Sequence, residues 1–386
     1  MQSRHLIALC ALSSFAAAPT SGPSPAISVV RTPNGGIQPQ AVMDEVGTIH
    51  VLYYLGSASH GDLFYVRSSE SGATWSAPLR VNSEAGTAIA AGTIRGGQIA
   101  VGKNGRVHVA WNGSSKAEPQ AERKQTGRAP MLYSRLNDAR TTFEPERNQI
   151  TRTFNLDGGG AVAADSRGNV YVAWHGNTPG AHEDEAGRQV WVAISRDDGK
   201  TFAAEHPASK EPTGACGCCG MAIFADHKGT VWSLYRSATE NVHRDIYLLK
   251  SSDQAHTFET RKLHPWTINA CPMSSMGFSE GSGKVEGAWE TAGQVYFAVL
   301  TGNAAPVEAP GEGKGRKYPR VAISPAGNTL MIWTEGMGWN RGGSLAWQLY
   351  DPDGRPLGQK GTAAGVPAWS FGAVVAKPEG SFSVIY

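Results

Sequence analysis

Three cysteines fall close together, Cys216, Cys218 and Cys219, and a fourth, Cys271, follows in an Ala-Cys-Pro segment. Sulfur at that density admits three chemistries: disulfides in an oxidising compartment, a thiolate site for a soft ion, or a reactive thiol. The even count that remains once Cys10 is assigned to a leader points first to two disulfides, one of them through Cys271. A thiolate site for Zn(II) or Cu(I), with His243 or His264 nearby, is the alternative. No metal and no other cofactor is therefore expected. A second set of reactive side chains flanks short apolar strands. Arg95, Gln98, Tyr318 and Arg320 stand at the entrance to such strands, and Tyr235, Arg236, Glu290, Glu335 and Trp339 stand just beyond them. Guanidinium groups clamp a carboxylate bidentately, phenols and carboxylates supply nucleophiles and proton donors, and an exposed Trp stacks on a sugar ring. Asp245 follows Arg244 in a polar loop, either as that arginine's ion-pair partner or as an acid/base. Arginine, tyrosine, carboxylate and tryptophan together compose a site for an acidic or polar sugar.

These residues need a scaffold that brings distant parts of the chain to one place, and the sequence supplies it by repetition. A hairpin recurs as MDEVGTIHVLYY (43–54), GKNGRVHVAW (102–111), ADSRGNVYVAW (164–174), ADHKGTVWSLY (225–235), SEGSGKVEGAW (279–289), SPAGNTLMIW (324–333) and AKPEGSFSVIY (376–386). Each has a turn glycine, from Gly47 and Gly105 to Gly380, followed by alternating apolar residues, the period-2 signature of a strand. Copies 44 to 63 residues apart leave room for about four short strands each, which predicts the blades of a β-propeller. The predicted fold is all-β, one propeller over 23–386, with seven blades favoured and six as the alternative. Residues 26–31, AISVVR, are read as the strand that closes the ring. In a propeller, the loops entering each innermost strand and leaving each second strand share one face, so the residues above converge there.

Composition narrows the class. Gly 47 and Pro 22 exceed the usual share and imply many turns. The net charge of +2, with no basic stripe, argues against nucleic acid as a partner, and no apolar run past the leader is long enough to span a membrane. Residues 1–22, with Arg4 and His5 before the apolar stretch Leu6 to Ala18, read as a signal peptide, so a secreted or periplasmic monomer is expected. The charged stretches at 117–130 and 182–188 read as solvated loops.

A second repeat lies between the hairpins: SSESGATW (68–75), SRDDGKTF (195–202) and SSDQAHTF (251–258), with a degenerate copy SRLNDARTTF at 134–143. The form Ser-x-Asp/Glu-x-x-x-Thr-aromatic resembles the Asp box of the sialidase (neuraminidase) superfamily, which implies turns between the third and fourth strands of each blade. Cys-x-Cys-Cys followed by Tyr-Arg-Ser and Arg-Asp-Ile-Tyr is similar to segments of secreted bacterial sialidase-like proteins. The resemblance implies an exo-α-sialidase-like glycoside hydrolase that acts on acidic glycans and retains configuration through a tyrosine. It would use Arg95, Arg236 and Arg320 as the clamp, Tyr235 or Tyr318 as nucleophile, Glu290 or Glu335 beside it, and Asp245 as acid/base. Gln98 and Trp339 would join the arginines in holding substrate. The family's Arg-Ile-Pro has its nearest match in Arg31-Thr32-Pro33, a departure that favours the rival reading of a non-catalytic propeller that binds glycan or protein ligands. A propeller whose cysteines bind metal is the third reading.

Overall fold

The computed structural model describes residues 25–117, 129–313 and 315–386. The expected signal peptide, Cys10 and most of the 117–130 stretch lie outside these residues. The alternation in each hairpin is realised as seven sheets in a ring. Blades 1 to 6 occupy 37–80, 98–148, 161–207, 222–264, 277–308 and 317–366, each with four antiparallel strands in chain order from the axis outward. Each innermost strand touches the next around the ring, including Ala373–Ala376 of blade 7 against Ile37–Met43 of blade 1. Seven blades are therefore present, and the six-bladed alternative is excluded. Among the described residues no helix is long and apolar enough to cross a membrane.

The ring closes through the expected strand. Ile27–Val30 pairs with Phe382–Ile385 in parallel, from Ile27 opposite Phe382 to Val30 opposite Ile385. The seventh sheet has three strands, and the closing strand takes the third place. A strand arriving from the far end of the chain is not half of a hairpin, so no tight turn forces it antiparallel.

Local chemistry fixes the hairpins. All seven turn glycines have φ between 70 and 94°. At Gly168 the turn is locked by Asp165, whose Oδ1 accepts the backbone N–H of Arg167 at 3.0 Å and of Asn169 at 2.9 Å. Asp44 and Asp226 make the same arrangement. Aspartate bonding its own turn leaves glycine to supply the left-handed step.

Alternate residues of one strand then face opposite neighbours, as the strand period requires. In blade 2, Val107, Val109 and Trp111 pack against blade 1, while Ala110 packs against blade 3. Each of the seven blade interfaces has its own apolar cluster of this kind.

The Ser-x-Asp/Glu segments form turns between third and fourth strands. Asp197 Oδ1 accepts the N–H of Thr201 at 2.8 Å and its Oδ2 accepts the Thr201 hydroxyl at 2.6 Å, and Asp253 repeats this with Thr257. The closing aromatics seal blade edges: Phe202 meets Tyr133 edge-on at 4.8 Å. Partial burial opposes the charge, but the Thr201 and Ser195 bonds prevail and hold Asp197 at about 2. Its stabilisation is therefore present above the ordinary carboxylate value and lost as pH falls toward 2. Asp197→Ala should cost about 1 kcal/mol at pH 7 and much less near pH 2, as read by urea denaturation at the two pH values. Equal losses at both would show that the carboxylate charge is not what the turn uses.

Candidate functional site

The innermost strand of blade 6, Lys317–Ile323, carries an irregularity that aims side chains at the ring axis. Its register slips between Lys317 and Arg320, and Tyr318 there has φ +54°, an uncommon conformation for so bulky a residue. Blade 1 repeats the device at Gln38, which also precedes a proline. Bulges re-aim side chains next to sites, and such backbone strain, of order 1–3 kcal/mol, persists where surrounding contacts enforce it. Tyr318 meets Ile94 and Phe371, residues from separate blade entrances that converge only near the axis. Its phenol is buried and pushed up to about 12, chiefly by desolvation and against a hydrogen bond with Thr93.

Arg320 lies beside it, half-buried. Its Nη1 donates to the Ser275 hydroxyl at 3.0 Å and to the Pro319 carbonyl at 2.9 Å, and its guanidinium sits 5.0 Å from the Phe371 ring centre. Among the described residues no carboxylate comes within 4.0 Å of it. Desolvation lowers it to about 10, so it stays charged at neutral pH.

The other expected clamp arginines are already paired. Arg95 Nη2 meets Asp157 Oδ1 at 2.5 Å, and its Nε donates to the Asp157 carbonyl at 2.7 Å. Arg236 Nη2 meets Glu290 Oε2 at 3.0 Å and donates also to the Glu290 carbonyl, with both side chains almost fully buried. Burial raises the Glu290 carboxyl, against the pull of Arg236. Trp339 is well exposed, and its ring closes with Arg95 on one spot, since a methyl group on Gly92 would meet both. Gln98 is half-buried at the start of the innermost strand of blade 2, opposite Ala110.

Three expected residues sit elsewhere. Tyr235 packs in the core between blades 3 and 4, bonded to the Thr213 hydroxyl at 2.8 Å and stacked on Tyr247 at 5.6 Å, with burial raising its phenol. It faces away because its strand partner positions alternate: Arg236, one residue on, points to blade 5. Glu335 accepts from Arg316 Nε at 3.0 Å and from Trp333 Nε1 at 2.8 Å. Asp245 binds Lys262 Nζ at 2.7 Å and the Trp266 N–H at 2.8 Å. The proposed Arg244–Asp245 pair does not form, because Arg244 instead meets Glu185 Oε2 at 2.6 Å.

That contact corrects the reading of 182–188 as solvated. Glu185 Oε1 accepts the Gly217 N–H at 2.7 Å, so the segment is pinned across the cysteine turn. Its Arg188 also approaches so closely that a side chain on Gly217 would collide with the guanidinium. Nothing in the charge pattern of HEDEAGR distinguishes such an anchor from a surface loop. His175 is a buried residue the sequence pattern does not single out: burial and Arg188 lower it to about 3, so it is neutral, and its Nδ1 has no hydrogen-bond partner among the described residues.

The cysteines depart furthest from expectation. All four are free thiols, so neither expected disulfide is formed, and Cys271 is exposed and apart from the others. Cys216, Cys218 and Cys219 gather their sulfur atoms within 4.8 Å of one another, with Cys216 and Cys218 at 3.2 Å. Although burial opposes it, the thiols of Cys216 and Cys218 and the charge of Arg236 favour a thiolate at Cys219. His264 accepts from Trp289 Nε1 and His243 lies beside Thr267, so neither joins the group.

No protein-family model and no curated protein matches the sequence. Solved structures do share the fold. The Penicillium chrysogenum α-L-arabinanase complexed with arabinobiose matches with a TM-score of 0.53 at 13% identity, over 86% of this chain and 98% of that one. The intramolecular trans-sialidase of Ruminococcus gnavus matches at 0.51 and 10% identity, over 83% and 95%. A Hadza microbial sialidase matches at 0.50 and 13% identity, over 78% of this chain and 63% of its own. At these identities the likeness is one of architecture: the chain has the β-propeller fold that sialidases and arabinanases share.

Proposed function

We propose that the protein is a secreted glycoside hydrolase of sialidase type, which takes the carboxylate of an acidic sugar on Arg320 at the propeller axis. The observation that carries this is the missing counter-ion: Arg95 and Arg236 hold carboxylates of the chain itself, and Arg320 holds none. A half-buried guanidinium with only neutral acceptors gains most from an incoming carboxylate, through short charge-assisted bonds. Tyr318, adjacent and turned to the axis, is the nucleophile in this reading. Glu290, which acts electrostatically on Tyr318, is the carboxylate assigned to it in this reading. Trp339 and Arg95 offer an aromatic and polar rim to the rest of the glycan.

A specific observation favours a second reading, binding without cleavage. The Tyr318 phenol is raised rather than lowered, and Glu290 is already engaged by Arg236. A nucleophile is normally activated by the opposite shift.

One experiment separates the two. Wild type and Arg320→Ala, both shown folded by circular dichroism, are incubated with a fluorogenic sialoside, and sialic acid binding is followed by calorimetry. Hydrolysis predicts release by wild type, with kcat/KM lowered roughly 10- to 100-fold in the variant, the value of a charged hydrogen bond. Saturable binding with no release supports the second reading, and neither binding nor release removes both.

A further inference from the structure

We propose that Cys216, Cys218 and Cys219 form a three-coordinate thiolate site for Cu(I). The proposal does not rest on the sugar-binding reading, although the sulfur group borders that site through Arg236 and Glu290. Its first support is geometric. Three sulfur atoms mutually within 4.8 Å can converge on one ion, since metal–sulfur bonds of about 2.3 Å in a trigonal plane place the sulfurs roughly 4 Å apart. The shortest pair, at 3.2 Å, needs to open by less than an ångström.

The second support is how the turn is held. Cys216 N–H bonds the Arg236 carbonyl at 2.9 Å, Gly217 N–H bonds Glu185, and Gly220 N–H bonds the Ser274 carbonyl at 2.9 Å. Three blades thus fix a segment only a few residues long, so the sulfurs are gathered before any ion arrives. Preorganisation of this kind lowers the cost of binding.

The third support is charge. Binding Cu(I) to three thiols releases three protons and leaves a complex of charge −2. Arg244 acts electrostatically on Cys216 and Cys218, and Arg236 on Cys219. Among the described residues Arg188 and Arg244 both pair with Glu185, and Arg236 pairs with Glu290, so guanidinium charge borders the sulfurs.

Coordination number selects the metal. A closed structural Zn(II) site takes four protein ligands, and among the described residues no His, Asp, Glu or further Cys joins these three sulfurs. Soft thiolates without a fourth donor suit monovalent copper.

The test uses the full chain, reduced and desalted without oxygen, and titrated with Cu(I) against a bathocuproine competitor. One copper per chain is expected, with a thiolate-to-copper charge-transfer band. Cys218→Ser, at the least buried of the three, and Cys219→Ser should weaken retention at least tenfold, and Cys271→Ser should leave it unchanged. A readout on wild type alone guards against variants that fail to fold: bound copper should shield three thiols from iodoacetamide while Cys271 reacts. Failure of the reduced wild type to retain copper would overturn the proposal. So would equal retention by a folded Cys219→Ser, or a preference for Zn(II) when both ions are offered. A Cys216–Cys218 disulfide that mild reductant cannot open in the folded protein would also exclude the site.

Discussion

Glu290→Ala should destabilise the protein by about 3–5 kcal/mol, the largest loss expected of any single substitution at the candidate site. The Arg236–Glu290 pair bridges blades 4 and 5, with side chains only 1% and 2% exposed. Arg236 also donates to the backbone carbonyls of Arg244 and Glu290, so it cannot swing to water when its partner is removed. The variant would keep a guanidinium in a low-dielectric interface without its counter-charge, which is the costly half of a buried pair. Replacing both residues, as Arg236→Met with Glu290→Leu, should recover most of the loss, because the desolvation cost then disappears with the charges. Guanidinium-chloride denaturation of Arg236→Met, Glu290→Leu and the double closes the cycle. A loss below 1 kcal/mol for Glu290→Ala would mean that the pair is solvated. Glu290→Gln adds a functional readout. It keeps the shape and the Gly293 N–H contact, so a folded variant that binds sialic acid but no longer releases it would assign Glu290 to the reaction.

The second large effect concerns a carboxylate outside the site. Glu286, in the second strand of blade 5, is buried against blade 6, where its two oxygens meet the Thr329 hydroxyl at 3.0 Å each. Desolvation raises it to about 7, against the smaller opposing effect of that hydrogen bond. A carboxyl raised in the folded state binds its proton more tightly there than in the unfolded chain. Its stabilisation is therefore fully present below the ordinary value of 4.5 and lost as pH rises through about 7. Across that window the loss is on the order of 3 kcal/mol. Glu286→Gln, which fixes the uncharged form, should be nearly neutral at pH 4.5 and more stable than wild type by about that amount at pH 8. Thermal melts of both proteins at the two pH values decide the matter. Parallel melting curves at pH 8 would show that Glu286 ionises without cost, in contact with water.

Much of the architecture was legible in the chain because its causes are local. A turn glycine at φ between 70 and 94°, followed by alternating apolar residues, is a hairpin whatever surrounds it. Seven copies with room for two further strands between them leave a ring as the economical solution. The same holds for the Asp197 and Asp253 turns, whose bonds run within seven residues of sequence. Even the closing strand could be located, since its apolar, β-branched composition needs a sheet edge, although its parallel direction depends on a partner more than 350 positions away.

The site was legible only as a list of residue types. Sequence could say that Arg95, Arg236 and Arg320 face the axis end of their blades, but not that two of them would be neutralised by Asp157 and Glu290. Those partners come from the next blade, and the register between blades is set by core packing rather than by any local signal. Tyr235 and Arg236 are neighbours in sequence and were read as one site, yet the strand period sends one into the core of blades 3 and 4 and the other to blade 5. Cys271 looked equivalent to the other cysteines because it too opens a blade. In the structure it is exposed and stands outside the sulfur group. The sequence by itself determined the repeat, the turns and the all-β ring, because each is written within a few residues. Only the tertiary structure decided which charges are spent on each other, which arginine is left free and which thiols meet, because those depend on distances across blade interfaces.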